Sequence, residues 1–207
     1  MPRIYLYLLS DKTLSLPDGL LSEYRREKLM RQTNALVRKQ SIAAELLLLY
    51  ALRDCAQTFT APLPIRAGKY GKPEIEGADI HFNLSHSDQA VLCAIGREEL
   101  GADIQKNACL QEAVMKRCYS DEEEHYVLRA EEPDLAYTEI WTMKESYCKY
   151  LGEGLHKAPA SFNVFDSSLY PCFQRFAIEE YQIALFSPEN RISAPQLQIV
   201  SESALCL

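Results

Sequence analysis

The sequence contains no Cys-x-x-Cys pair, and its seven cysteines make an odd count. That excludes a closed disulfide framework and a zinc ribbon, and it points to free thiols in a reducing compartment. Long apolar runs are missing too. The densest, Leu46–Leu49, lies between Glu45 and Arg53 and does not approach the roughly 20 residues that a spanning helix needs. The N-terminal MPRIYLYLLSDKT has too short an apolar stretch, and no small-residue cleavage site, to act as a secretion signal. It reads as a first strand, and the expectation is a cytoplasmic protein with no membrane partner. No repeat shows by plain identity, and no low-complexity linker. The net charge of −7 excludes a general nucleic-acid binder, so any polyanion has to meet a local basic patch.

What is present is one chain of 207 residues, enough for one sizeable core or two small lobes sharing one. Ile4–Leu9 reads as a strand, and Ser22 as the cap of the first of two helices, the second carrying a wide apolar face around Ile42, Leu46 and Leu49. GKYGKPEIEGAD reads as a turn-rich loop. AVLCAIG and LGADI, separated by Arg97-Glu98-Glu99, read as an antiparallel hairpin. Helical text resumes at Leu110–Cys118, Ser120 and Glu123 form a capping-box pattern, and a strong helix covers roughly Ala136–Leu151. FNVFD, CFQRFAI, YQIALFS and LQIVS read as strands. Strand and helix material in both halves gives an α+β class with two packed lobes, residues 1–99 and 100–207, and a seam near residue 100.

Several segments carry chemistry. Asp103 shares a strand face with Gly101 and Gln105, which leaves room for a ligand to approach closely, although most such aspartates are merely solvated. In WTMKESYCKYLGEGL, Ile140, Met143, Tyr147 and Leu151 form an apolar stripe, and Trp141, Glu145 and Lys149 a neighbouring one, with Lys144 beside them. This is either a surface Glu–Lys pair or a carboxylate among lysines suited to a metal-bound polyphosphate. The turn YGKP offers Gly71, Lys72 and Pro73, while Arg25, Arg26, Lys28, Arg31, Arg38 and Lys39 make a basic helical patch. In HFNLSHS, His81–Ser87, adjacent Ser and His point apart and no Gly-x-Ser-x-Gly elbow exists. The four histidines lack zinc-ligand spacing. A polar loop able to bond phosphate remains, beside the plainer reading of a structural turn.

In this order and spacing, Gly71-Lys72-Pro73, FNLSHS at Phe82–Ser87, GADI at Gly101–Ile104, and WTMKES at Trp141–Ser146 followed by Lys149 and GEGL at Gly152–Leu155 resemble the 4′-phosphopantetheinyl transferases. The resemblance is to the larger single-chain, surfactin-synthetase-activating type and runs from about Tyr5 to Ala184. It implies two similar α/β lobes related by pseudo-twofold symmetry, with coenzyme A in the cleft between them. It also implies Mg²⁺-dependent transfer of the phosphopantetheine arm to a serine of an apo acyl or peptidyl carrier protein. By that resemblance Asp103, Glu145 and Gln105 hold Mg²⁺ (or Mn²⁺), and Glu145 takes the serine proton. Lys144 and Lys149 stabilise the diphosphate, Ser85 and His86 contact coenzyme A phosphates, and Arg25, Lys28, Ser41 and Lys72 hold the nucleotide. With both lobes in one chain, a monomer is expected.

One departure stands out: Gln105 occupies a position where many relatives carry Glu, which removes a negative charge from the metal set. The rival expectations are a coenzyme A-binding protein of the same fold that has lost turnover, and a phosphoesterase releasing free phosphopantetheine.

Overall fold

The computed structural model describes residues 1–10, 19–152, 158–191 and 195–205. In chain order the elements are β1 (Arg3–Leu8), α1 (Glu23–Met30), α2 (Ala35–Asp54), β2 (Ile65–Ala67), β3 (Pro73–Ile75), β4 (His81–Ser87), β5 (Ala90–Gly96) and β6 (Gly101–Lys106). Then come α3 (Glu112–Cys118), α4 (Asp121–Arg129), α5 (Pro133–Leu151), β7 (Phe173–Ile178), β8 (Tyr181–Phe186), β9 (Gln196–Ile199) and α6 (Glu202–Leu205). The class is mixed α+β. No helix among the described residues is long and apolar enough to cross a membrane.

Two sheets and two long helices stack as helix, sheet, sheet, helix. The first sheet has the order β4-β5-β1-β9, and the second β6-β8-β7. Strand periodicity of two sorts the side chains. On β1 and β5, Tyr5, Tyr7, Val91, Cys93 and Ile95 face α2, whose Leu46–Leu49 and Leu52 complete one core. Ile4, Leu6, Leu92 and Ala94 face the other way and meet Leu100, Ala102, Ile104, Ile183 and Leu185 of the second sheet. The outer side of that sheet, with Ala184 and Phe186, is covered by α3, α4 and α5.

The helix termini follow local chemistry. The Ser22 hydroxyl accepts from Arg25 N at the start of α1, and the capping box of Ser120 and Glu123 is complete at α4. Pro133 opens α5, and Gly152 closes it in a left-handed conformation (φ 68°) that a side chain would resist. The GEGL motif beyond Gly152 falls on residues 153–155, outside the described residues.

The structure corrects four expectations. β5 and β6 do not pair: β5 lies between β4 and β1, and β6 pairs with β8 in the other sheet. The hairpin is β4–β5, closed at Asp88-Gln89. The turn-rich stretch around Gly71 contains a small antiparallel pair, β2–β3, around a 3-10 turn at Lys69–Gly71. FNVFD forms turns, because the Asn163 and Asp166 side chains accept from nearby backbone N–H groups of Phe165 and Ser168. Gly101 admits a helix instead of a ligand: a Cβ there would lie 2.0 Å from Ser146 O and 2.2 Å from Tyr150 N.

Because both obstructing atoms are backbone, Gly101→Ala is expected to push α5 off β6 and cost about 3 kcal/mol, the upper part of the usual overpacking range. Thermal melting checks this, and an unchanged Tm would contradict the close packing. The tail also crosses between layers: β9 pairs in parallel with β1, so residues 196–199 lie in the first sheet although they follow the second in sequence.

Candidate active site

The candidate residues meet where the edge strand of one sheet lies along the edge strand of the other, under α5. Asp103 is 1% exposed. Its Oδ1 accepts from Ser85 Oγ at 2.6 Å and from Lys149 Nζ at 2.6 Å, and its Oδ2 accepts from Gln105 Nε2 at 3.0 Å. Lys149 Nζ also donates to Ser85 Oγ at 2.8 Å. Lys149 reaches Asp103 because α5 packs so closely on Gly101, two residues earlier on the same face. Glu145 is one helical turn before Lys149. Burial first, and then the charge of Asp103, raise its pKa, while Lys149 pulls it down. Asp103, Glu145, Lys149, Gln105 and Ser85 therefore form one cluster.

His86, beside Ser85 on β4, feels the charges of Lys149, Lys28 and Arg25. His86 is exposed at its rim, and partial desolvation of the ring together with these cations lowers its pKa, with Asp103 opposing. The imidazole is thus neutral at pH 7 and, binding fewer protons than in the unfolded chain, it subtracts stability as pH falls below about 6.5. A bound phosphate would reverse the sign. The NMR titration of His86 is expected below the ordinary imidazole range in the free protein, moving up when coenzyme A is added. No upward movement would separate His86 from phosphate.

Four predicted residues are committed elsewhere. Lys144 is 1% exposed: its Nζ pairs with Glu123 at 2.8 Å and donates to Pro159 O and Phe162 O. It therefore braces α5 against α4 and the following turn, and does not join the cluster. The hydroxyl of Ser41, 2% exposed beneath α1, accepts from Arg25 Nη1 at 3.1 Å. Arg25 itself is 4% exposed and gives Nε to Glu45 at 3.0 Å. Lys72 Nζ donates to Glu99 at 2.7 Å, Leu100 O at 3.2 Å and Tyr150 O at 3.5 Å. An ammonium has three donors, so these three acceptors engage all of them. Of the nucleotide set, Lys28 lies on the exposed side of α1, and crowding of its ammonium by neighbouring protein atoms, then the charge of Arg25, lower its pKa. Arg38 donates to Leu29 O and Gln32 O, and Lys39 to Ser10 O, so much of the basic patch satisfies backbone carbonyls.

The sequence reading missed the roles of Asn83 and Glu99 and the pairing of Glu123 with Lys144, because these partners lie far along the chain. Asn83 is the exception that a signal could have flagged, since it stands in step with Ser85 and Ser87 at every second position of β4.

Between β4, the turn at residues 70–73 and the end of α5, a cleft of about 210 Å³ is lined by Tyr70, Gly71, Lys72, Pro73, Asn83, Leu84, Lys149 and Gly152. It places the Gly71-Lys72-Pro73 turn, the start of FNLSHS and the end of α5 around one space. A larger hollow of about 570 Å³ lies on α4 against Phe165 and holds none of the candidate residues.

Comparison with known proteins bears directly on this arrangement. The 4′-phosphopantetheinyl transferase superfamily matches residues 99–198, which contain Asp103, Glu145 and Lys149. A 4′-phosphopantetheinyl transferase of Bacillus subtilis is 30% identical over 182 residues, covering 80% of this chain and 81% of the relative. The chain belongs to the 4′-phosphopantetheinyl transferase family. It is also 28% identical over 196 residues to the 4′-phosphopantetheinyl transferase gsp of Aneurinibacillus migulanus, covering 86% and 82% of the two chains. With the 4′-phosphopantetheinyl transferase Sfp of Bacillus subtilis strain 168 it shares 31% over 150 residues, 70% and 66%. The family is a transferase family, and its name sits well with a site holding the Lys149 ammonium, the His86 imidazole and two carboxylates, Asp103 and Glu145, near enough to influence one another.

The donor set also bears on a metal. Among the described residues no group of three or more His, Cys, Asp and Glu side chains gathers, so the carboxylates available here are Asp103 and Glu145. Mg²⁺ takes one or two carboxylates and fills its octahedron with water and phosphate oxygens. Two carboxylates repelling one another, with the Lys149 ammonium already drawn onto Asp103, fit that cation.

Proposed function

We propose that this protein transfers the 4′-phosphopantetheine arm of coenzyme A to a serine hydroxyl of an apo acyl or peptidyl carrier protein. The observation that carries the reading is the contact of Lys149, which lines the cleft, with Asp103 and Ser85, in a chain of this family.

The serine oxygen attacks the phosphorus on the pantetheine side of the diphosphate. The bridging P–O bond breaks, and adenosine 3′,5′-bisphosphate leaves with the electron pair. Asp103 and Glu145, with the Gln105 amide at hand, would hold Mg²⁺, which supplies charge neutralisation at the diphosphate. Glu145 is assigned the serine proton: burial raises its pKa in the free protein, and a cation held by the same carboxylate would offset that rise. Lys149 shifts from Asp103 toward the leaving phosphate and offsets the charge that develops there. His86 and Lys28 receive coenzyme A phosphates, with Arg25 anchoring the α1 end of that surface. The Tyr70–Pro73 turn lines the nucleotide end. Lys144, Ser41 and the Lys72 ammonium serve as braces in this scheme.

We read residues 1–99 and 100–207 as two similar lobes with pseudo-twofold symmetry, the last stretch from β9 onward packing back on the first lobe. The two sheets each carry one long helix, and the β4–β5 and β7–β8 hairpins both turn through a residue of positive φ, Asp88 (48°) and Glu179 (51°). We also read it as a monomer acting in the cytoplasm, on neither nucleic acid nor membranes; the net charge of −7 supports the exclusion of nucleic acid.

The test is chromatographic release of adenosine 3′,5′-bisphosphate from coenzyme A with and without apo carrier. Release only with carrier supports transfer. Release without it would favour a phosphoesterase, and none, with binding intact, an inactive coenzyme A-binding protein.

A further inference from the structure

We propose that Asn83 and Ser87 are positioning residues for the transfer, acting with Ser85 as a side-chain ladder that fixes β6 and thereby aims Asp103. The inference rests on the function proposed above.

Among the described residues β6 is an edge strand, paired with β8 alone. In an antiparallel pair every second residue turns its N–H away from the partner. On β6 these are Ala102, Ile104 and Lys106, and each finds a side chain of β4. Ala102 N donates to Asn83 Oδ1 at 3.1 Å, Ile104 N to Ser85 Oγ at 3.4 Å and Lys106 N to Ser87 Oγ at 3.0 Å. The two periods of two run in step, so β4 is joined to β6 by polar side chains where a backbone ladder would ordinarily run. Ala102 and Ile104 are fully buried, where an unpaired N–H is costly.

Asp103 lies between the first two rungs. The Ser85 hydroxyl donates its only proton to Asp103 and accepts from both Ile104 N and Lys149 Nζ. One proton and two lone pairs are then fully used. Ser85 thus orients the carboxylate and the ammonium together, and its hydroxyl has no capacity left for a phosphate. Asn83 and Ser87 hold the backbone on either side. At the far end Lys106 is tied to Asp88 at 2.8 Å and Glu180 at 3.2 Å, which closes the ladder across both hairpin turns. The apolar core sets which side chains of β6 face inward, and the ladder sets the remaining small displacement along the strand. A misplacement of about 1 Å at a reacting group can cost about 100-fold.

The test compares Asn83→Ala and Ser87→Ala with Asn83→Asp and Ser87→Thr, which keep an oxygen acceptor. Three quantities are read: kcat and KM for coenzyme A, amide hydrogen exchange at Ala102 and Lys106, and the Mg²⁺ concentration giving half-maximal coenzyme A binding. Ser87 is informative because it does not line the cleft. Each alanine variant is expected to expose its own amide, lower kcat by about 10-fold and raise the Mg²⁺ midpoint, with KM within about twofold. Ser87→Thr should restore all three.

Faster exchange with unchanged kcat and Mg²⁺ midpoint would make the ladder purely structural and overturn the inference. Should Asn83→Ala not fold, the Ser87 pair carries the same comparison. If the wild type binds coenzyme A but loads no carrier, the proposed function fails on its own; the Mg²⁺ midpoint then still decides the ladder, supporting it if shifted and overturning it if not.

Discussion

Replacing Asp103 by Asn is expected to lower carrier loading by about 10²- to 10³-fold at saturating coenzyme A and Mg²⁺, the range seen when one fixed charge-stabilising group is removed from an active site. Asn keeps the shape and an oxygen able to accept from the Ser85 hydroxyl, so the packing of α5 on β6 survives. The negative charge is lost. With it goes one of the two carboxylates for the cation, and the group that holds Lys149 at 2.6 Å. Lys149 retains 28% side-chain exposure, so water can compensate its ammonium and little stability should be lost. Initial rates of carrier loading, together with thermal melts, check both halves. A rate within about threefold of wild type would contradict the assignment of Asp103 to the reacting centre.

Lys144→Met is expected to do the opposite: to damage the fold far more than the chemistry. Glu123 is 0% exposed, and its two oxygens already serve Ser120 N in the capping box, Val164 N and Lys144 Nζ. Removing the ammonium strands a buried carboxylate, a change that costs about 3–5 kcal/mol. In a chain of this size that is about 10 °C in Tm. Adding Glu123→Gln, which keeps a carbonyl for Val164 N, should recover more than half of the loss, because the stranded charge is gone. Below the melting range, turnover of the single variant should stay within about tenfold of wild type, since Lys144 touches neither the cleft nor Asp103. A normal Tm with lost turnover would return Lys144 to the diphosphate, where the family resemblance had put it.

That contrast shows what was legible in the sequence. Residues on an α-helix are about 100° apart, so Glu145 and Lys149 share a stripe while Lys144 turns well away from both. The stripe of Trp141, Glu145 and Lys149 was readable for that reason, and grouping Lys144 with it went against the spacing. The Ser120–Glu123 capping box was equally plain, but its second duty, receiving Lys144 from another helix, is a contact that no local pattern encodes. Gly101 was legible as a point of close approach; whether a ligand or a helix approaches is a tertiary matter, and here Ser146 and Tyr150 fill the space.

The pairing of strands was the least legible feature. AVLCAIG and LGADI are both apolar runs joined by a short polar linker, which by itself suggests a hairpin. β5 is buried on both faces and between two neighbours, however, so the chain leaves its sheet at Arg97 and opens the next one. The same step explains HFNLSHS. Its Ser85 and Ser87 read as phosphate-binding loop residues, yet with Asn83 they lie on a strand whose polar face is spent on the neighbouring strand of the other sheet. His86, on the alternate face, remains the group of that motif available to a phosphate.

The central claim is that Asp103, Glu145 and Lys149 form the centre of a Mg²⁺-dependent phosphopantetheinyl transfer. The most direct measurement is the intact mass of an apo carrier protein after incubation with this protein, coenzyme A and Mg²⁺, beside an EDTA control and the Asp103→Asn variant. The account predicts a gain of one phosphopantetheine on the carrier serine with wild type and Mg²⁺, and almost none in the other two reactions. Equal gain in EDTA would contradict the metal, equal gain with Asp103→Asn would contradict the site, and no gain across several carriers would contradict the transferase.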